Sequence, residues 1–152
     1  MATIVRAERA PVHLWIVGVL GFLWSLFGAF DYCETRFHNL DYLKQAMPTV
    51  DPQTALAWVD AMPLYAQIGW GLGVWCAVAG AVLLLMRSRH AVWVYGLSLL
   101  GAILSLGYQL LLANPLPGAE GGLYTIMPIV IIGIALALFL YARAMSARGV
   151  LR

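Results

Sequence analysis

The side chains able to do chemistry in this chain gather at four places. Asp31, Tyr32 and Thr35 close one long apolar run. Tyr65 and Gln67 open a second, Tyr108, Gln109 and Asn114 close a third, and Tyr124 and Thr125 open a fourth. A carboxylate accepts hydrogen bonds, a carboxamide both donates and accepts, and a phenol offers an apolar face with a polar tip. Brought to one depth, Asp31, Tyr32, Thr35, Tyr65, Gln67, Tyr108 and Gln109 would suit a small polar or amphipathic ligand. The same groups also suit plain interhelical hydrogen bonding, worth ~0.6–2 kcal/mol per contact inside a membrane. A glutamine in hydrocarbon needs a partner, so Gln67 and Gln109 are expected to face inward, with Asp31 the one carboxylate in reach.

What is missing narrows the chemistry further. No Asp, Glu, Lys or Arg falls in the middle of any apolar run, where ion-coupled transport usually requires one. No Ser/His/Asp or Cys/His set is visible. His13 and His90 read as anchors at a membrane surface rather than as metal or haem ligands. Cys33 and Cys76 form no CxxC pair and read as packing residues without a disulfide. The chain is therefore read as no enzyme, with no metal and no cofactor. A net charge of +2 gives no reason to expect a nucleic-acid partner.

The elements that must position these groups follow from composition. Of 152 residues, 62% are hydrophobic and 11% charged, against about 45–50% and about 25% in soluble domains. Such an outside can be covered only by lipid. Four runs, about 12–31, 64–86, 91–113 and 123–142, reach the ~20 apolar residues that span a bilayer, and backbone polarity requires them to be helices. The reading is an all-α, integral-membrane four-helix bundle forming a single domain over 1–152. The first run is too long for a signal-peptide core and is read as retained.

Basic residues set the orientation. Arg6, Arg9, Arg87, Arg89, Arg143, Arg148 and Arg152 fall on one side, and Arg36 and Lys44 on the other. Seven against two predicts both termini in the cytoplasm and the 32–62 connection facing outward. Within that connection Asn39 can cap a short helix through Met47, and Asp51-Pro52 opens another to about Asp60. Both are expected to lie on the outer membrane surface, with Leu56 and Val59 toward lipid and Trp58 beside them.

Small residues at helical spacing mark where helices approach closely. Gly18, Gly21, Ser25 and Gly28 form one stripe, Gly69, Gly73, Ala77 and Ala81 a second, and Ser98, Gly101, Ala102 and Ser105 a third. These predict packing within the chain, with a homodimer through Gly69 and Gly73 as the alternative. The fourth run, nearly all aliphatic from Ile129 to Leu140, is expected at the periphery with a kink at Pro128.

The segment Gly28-Ala29-Phe30-Asp31-Tyr32-x-x-Thr35, followed by Asn39 and Tyr42-Leu43, and the tail Tyr141-Ala142-Arg143-Ala144-Met145 resemble small bacterial four-helix membrane proteins often labelled "sugar transporter". In layout the chain is more distantly similar to DoxX-like proteins. The resemblance implies a bacterial inner-membrane protein. Two functions are consistent with the residues: binding or transport of a small molecule at the outward polar end, or an accessory role in a larger membrane complex.

Overall fold

The structure is a computed structural model that describes residues 10–119 and 122–152; Arg6 and Arg9, which enter the orientation argument, lie outside them. The described residues form six helices: α1 (Val12–Arg36), α2 (Leu40–Ala46), α3 (Pro52–Asp60), α4 (Leu64–Leu85), α5 (His90–Leu111) and α6 (Gly122–Ala147). α1, α4, α5 and α6 are long and apolar enough to cross a membrane, as expected for a multi-pass protein. We call the end bearing α2 and α3 the loop end, and the end bearing the α4–α5 connection the turn end.

Two helices outrun the apolar stretches that define them. α1 continues from 31 to Arg36 and α6 from 142 to Ala147. At 1.5 Å per residue α1 is about 37 Å long, more than the ~30 Å hydrocarbon core. Its last two turns, holding Asp31, Tyr32 and Thr35, therefore belong to the polar boundary.

α4 and α5 share the most extensive interface, with α1 packed on α4 and α6 on α5. The cause is the glycine stripe. A Cβ on Gly101 would sit 2.4 Å from the Gly73 nitrogen and 2.5 Å from the Gly69 carbonyl oxygen, so only hydrogen fits there. Ser98 Oγ donates to the Gly73 carbonyl at 2.7 Å across the same seam. The Gly69/Gly73 face is thus covered by α5 of the same chain. The homodimer through that face, weighed from the sequence, is corrected: the stripe is already filled.

At the turn end a core of Leu14, Leu84, Tyr95, Leu138, Ala142 and Met145 draws all four long helices together. Val150 and Leu151 are buried in the same core. Beyond them the backbone of Arg152 pairs with the α4–α5 connection, accepting from Arg89 N (2.8 Å) and donating to Arg87 O (2.7 Å). Two helices stop at non-glycine residues in the left-handed region, α1 at His38 (φ 57) and α4 at Arg87 (φ 57). In each case the next amide reaches back five residues, Asn39 N to Glu34 O and Ser88 N to Leu83 O, the Schellman arrangement.

α6 is the least covered span. Along 122–137 only Pro128 is buried, which fits the peripheral place expected of it. The helix continues through Pro128.

Candidate functional site at the loop end

The short helices form where their caps allow. Asn39 Oδ1 accepts from Tyr42 N at 3.1 Å, and Asp51 Oδ2 accepts from Thr54 N (2.8 Å) and Thr54 Oγ1 (2.9 Å), with Pro52 in the first turn. Those two bonds hold the exposed Asp51 carboxyl below its ordinary value. Leu43, Val50, Ala55 and Met62 are buried, so this connection is a packed layer rather than a loose loop. Trp58 does not simply face lipid: its Nε1 donates to the Asn114 carbonyl at 2.8 Å. Thr49 Oγ1 lies 3.3 Å from Tyr124 Oη. The layer is tied in this way to the α5–α6 connection and to the start of α6.

Under that layer the seven candidate residues separate into three groups. The first centres on Asp31. Its Oδ1 accepts from Tyr42 Oη at 2.7 Å, and Phe30 meets the Tyr42 ring edge-to-face at 5.4 Å. Partial burial and the carboxylate hold the Tyr42 hydroxyl well above its ordinary value. Tyr32, the next residue, turns toward α4, with its ring edge-to-face on Trp70 at 4.9 Å and Trp75 at 6.4 Å. Thr35 is 5% exposed, buried one turn further on.

The second group is built on Gln67. Its Nε2 donates to Met62 O at 2.9 Å and more weakly to Asp60 O at 3.4 Å, and its Oε1 accepts from Arg36 Nη1 at 3.3 Å. Gln67 thus closes the α3–α4 turn and pins it to the end of α1. His38, 3.7 Å from Asp60, stands at the same corner, where exposure makes the pair worth little.

The third group lies on the α4–α5 seam, where Tyr65 and Tyr108 meet edge-to-face at 6.0 Å. Gln109 beside them is half-buried and makes no side-chain hydrogen bond among the described residues.

The expected triangle of Asp31, Gln67 and Gln109 is therefore corrected. Asp31 bonds Tyr42 and Gln67 bonds Arg36 and turn carbonyls, because each finds a nearer partner in the connection that follows α1. Tyr42 and Arg36, which a depth argument does not single out, are the partners of Asp31 and Gln67. The signal was present, since a phenol eleven residues after an aspartate returns to it once a helix stop and a cap reverse the chain. Two open hollows of the described surface lie at the turn end, away from these seven residues. Among the described residues no three His, Cys, Asp or Glu side chains gather in a way that could hold a metal ion.

The chemistry left open is concentrated on Asp31. A carboxylate has about four acceptor positions, and Tyr42 supplies the only hydrogen bond to this one among the described residues. With the edge-to-face pair of Phe30 and Tyr42 beside it, the arrangement is a hydrogen-bond acceptor next to aromatic rings. No protein-family model, curated protein or solved structure matches this chain.

Proposed function

We propose that the protein binds or transports a small polar or amphipathic molecule at its loop end, with Asp31 as the anchor. The observation that carries this reading is the half-buried Asp31 carboxylate, which among the described residues accepts a hydrogen bond from Tyr42 only and lies beside the Phe30–Tyr42 ring pair. Such a group favours a ligand bearing hydroxyl or ammonium donors on an apolar body. Gln67, engaged with the α3–α4 turn, serves as support rather than contact. In this reading the loop end faces outward from a bacterial inner membrane with both termini cytoplasmic, as the seven-to-two basic bias supports.

Thermal-shift measurements with polyols, quaternary amines and lipid head-group analogues test the site. The expected result is a ligand that raises the melting temperature of the wild type but not of Asp31→Asn or Tyr32→Leu. If every compound shifts the three proteins equally, the assignment of the site fails. Phosphatase fused after Arg152 tests the orientation, and activity there would reverse it.

A second reading, an accessory subunit of a larger membrane complex, has its own observation. The loop-end half of α6 offers a long aliphatic face that its own bundle leaves uncovered. Mild-detergent purification through a tag after Arg152 separates the two readings. Recovery of the chain alone, under conditions that keep other membrane complexes intact, counts against the second.

A further inference from the structure

The turn end is rich in arginine. No Asp or Glu occurs between Asp60 and Glu120 or after Glu120, while Arg87, Arg89, Arg143, Arg148 and Arg152 all lie in those stretches. Two of these arginines line a hollow of about 390 Å³ between the start of α5 and the last turns of α6, together with His90, Trp93 and Ser146. Arg89, the N-cap of α5, and Trp93 are one turn apart, and Arg143 and Ser146 are one turn apart on α6, so each pair shares a helix face. Neither Arg89 nor Arg143 has a side-chain partner among the described residues. The positive end of the α5 dipole adds to their field.

Below the charges the surface changes character. Trp93 is 78% exposed, one turn into α5, at the depth where tryptophan marks a membrane boundary. Continuing down its stripe, Leu97 and Leu100 on α5 are exposed, as are Leu140 and Leu136 on the stripe that descends from Arg143 on α6. A cationic hollow thus opens onto an apolar track running down both helices. A free anion would use only the first of these features. A phospholipid uses both, its phosphate between the arginines and its acyl chains along the leucines.

We propose that the groove between the start of α5 and the end of α6 binds the head group of an anionic phospholipid. Arg89 and Arg143 contact the phosphate, Ser146 and His90 donate hydrogen bonds, and Trp93 sits at the glycerol level. The site lies at the opposite end of the bundle from Asp31 and stands whether or not that site binds a ligand.

Native mass spectrometry of the full chain, released from detergent with defined lipids, tests it. Phosphatidylglycerol is expected to be retained at least about tenfold more than phosphatidylcholine, and Arg89→Gln/Arg143→Gln to remove most of that preference. Arg148→Gln, outside the hollow, should leave it intact. Equal retention of the two lipids, or an equal loss in Arg148→Gln, overturns the site in favour of diffuse charge attraction. Inorganic phosphate at millimolar concentration should not displace the lipid; if it does so through Arg89 and Arg143, the site belongs to a soluble anion and the lipid proposal falls. Should the double variant not fold, fluorescence quenching by acyl-brominated lipids decides. Brominated phosphatidylglycerol should quench the wild type more than brominated phosphatidylcholine does, and Trp93→Phe should abolish the difference. A difference that persists in Trp93→Phe overturns the proposal.

Discussion

The two ends of the bundle solve the same problem with opposite materials. Each must seal four helices where they leave the bilayer. At the loop end a packed layer is tied down by polar side chains: Tyr42 on Asp31, Gln67 on Arg36 and the Met62 carbonyl, Trp58 on the Asn114 carbonyl. At the turn end the seal is an apolar plug, Val150 and Leu151 among Leu14, Tyr95 and Met145, rimmed by arginines whose backbone closes the gap. A polar seal leaves acceptor capacity that a ligand can use, as at Asp31. An apolar plug leaves none inside and pushes its charges to the rim, where an anion can meet them.

The variant with the largest expected effect removes the comparison by opening the seam common to both ends. Gly101→Ala places a methyl against the Gly73 and Gly69 backbone and should cost about 3 kcal/mol or more, beyond ordinary overpacking because backbone cannot turn aside. Gly107→Ala, with open space at its Cβ, is the control. Unfolding in mixed micelles measures both, and similar values would show that the α4–α5 approach is looser than described.

Next, Leu151→Ala tests the plug. Loss of a side chain only 4% exposed should cost about 2–3 kcal/mol. An effect under about 0.5 kcal/mol would mean that this segment does not seal the turn end.

The polar seal should respond more gently. Gln67→Leu leaves the Met62 carbonyl and Arg36 without their partner and should cost about 1 kcal/mol. Since Gln67 and Gln109 do not bond each other, Gln109→Leu should add to it independently, with a coupling below about 0.5 kcal/mol. Rescue of the first change by the second would instead show a direct amide pair.

Tyr42 carries a pH signature. Its hydroxyl titrates above its ordinary value near 10 in the folded protein, so the folded state holds a proton that the unfolded state releases. That contribution is fully present below pH 10 and declines as pH rises toward the folded value. The decline in stability as pH rises above about 10 should be shallower in Tyr42→Phe. Parallel curves for the two proteins would dissociate Tyr42 from Asp31.

The smallest expected effect sets like against like. His38 and Arg87 stop their helices in the same strained conformation. His38→Gly should stabilise by about 0.5–1 kcal/mol, whereas Arg87→Gly should not, because Arg87 Nε also donates to Val150 O at 3.1 Å. Equal gains at the two ends would remove that tie from the turn-end seal.

The four spans were legible because apolar length is a local property. So were both caps, since Asn39 and Asp51-Pro52 act within three residues of themselves, and so were the two stripes, one carrying Gly69 and Gly73 and the other Gly101. The partners of the polar residues were harder to read. A depth argument matches Asp31 to glutamines in neighbouring spans. The partner of Asp31 is Tyr42, delivered by the reversal at His38 and Asn39 that a depth argument does not see. The burial of Val150 and Leu151 left no trace either, since two apolar residues after a span have no periodicity to betray them.

The four-residue connection from Met86 to Arg89 has a consequence for how the molecule comes together. α4 and α5 are near neighbours in the chain and hold the tightest approach in the fold, so little chain entropy opposes their meeting. In a membrane, where helices form before they associate, this pair is expected to dock first and to endure alone. α1 and α6 would join it as separate later arrivals, one on each flank. Limited proteolysis of a variant weakened only in α1 should then leave residues from about 64 to 111 as a resistant fragment.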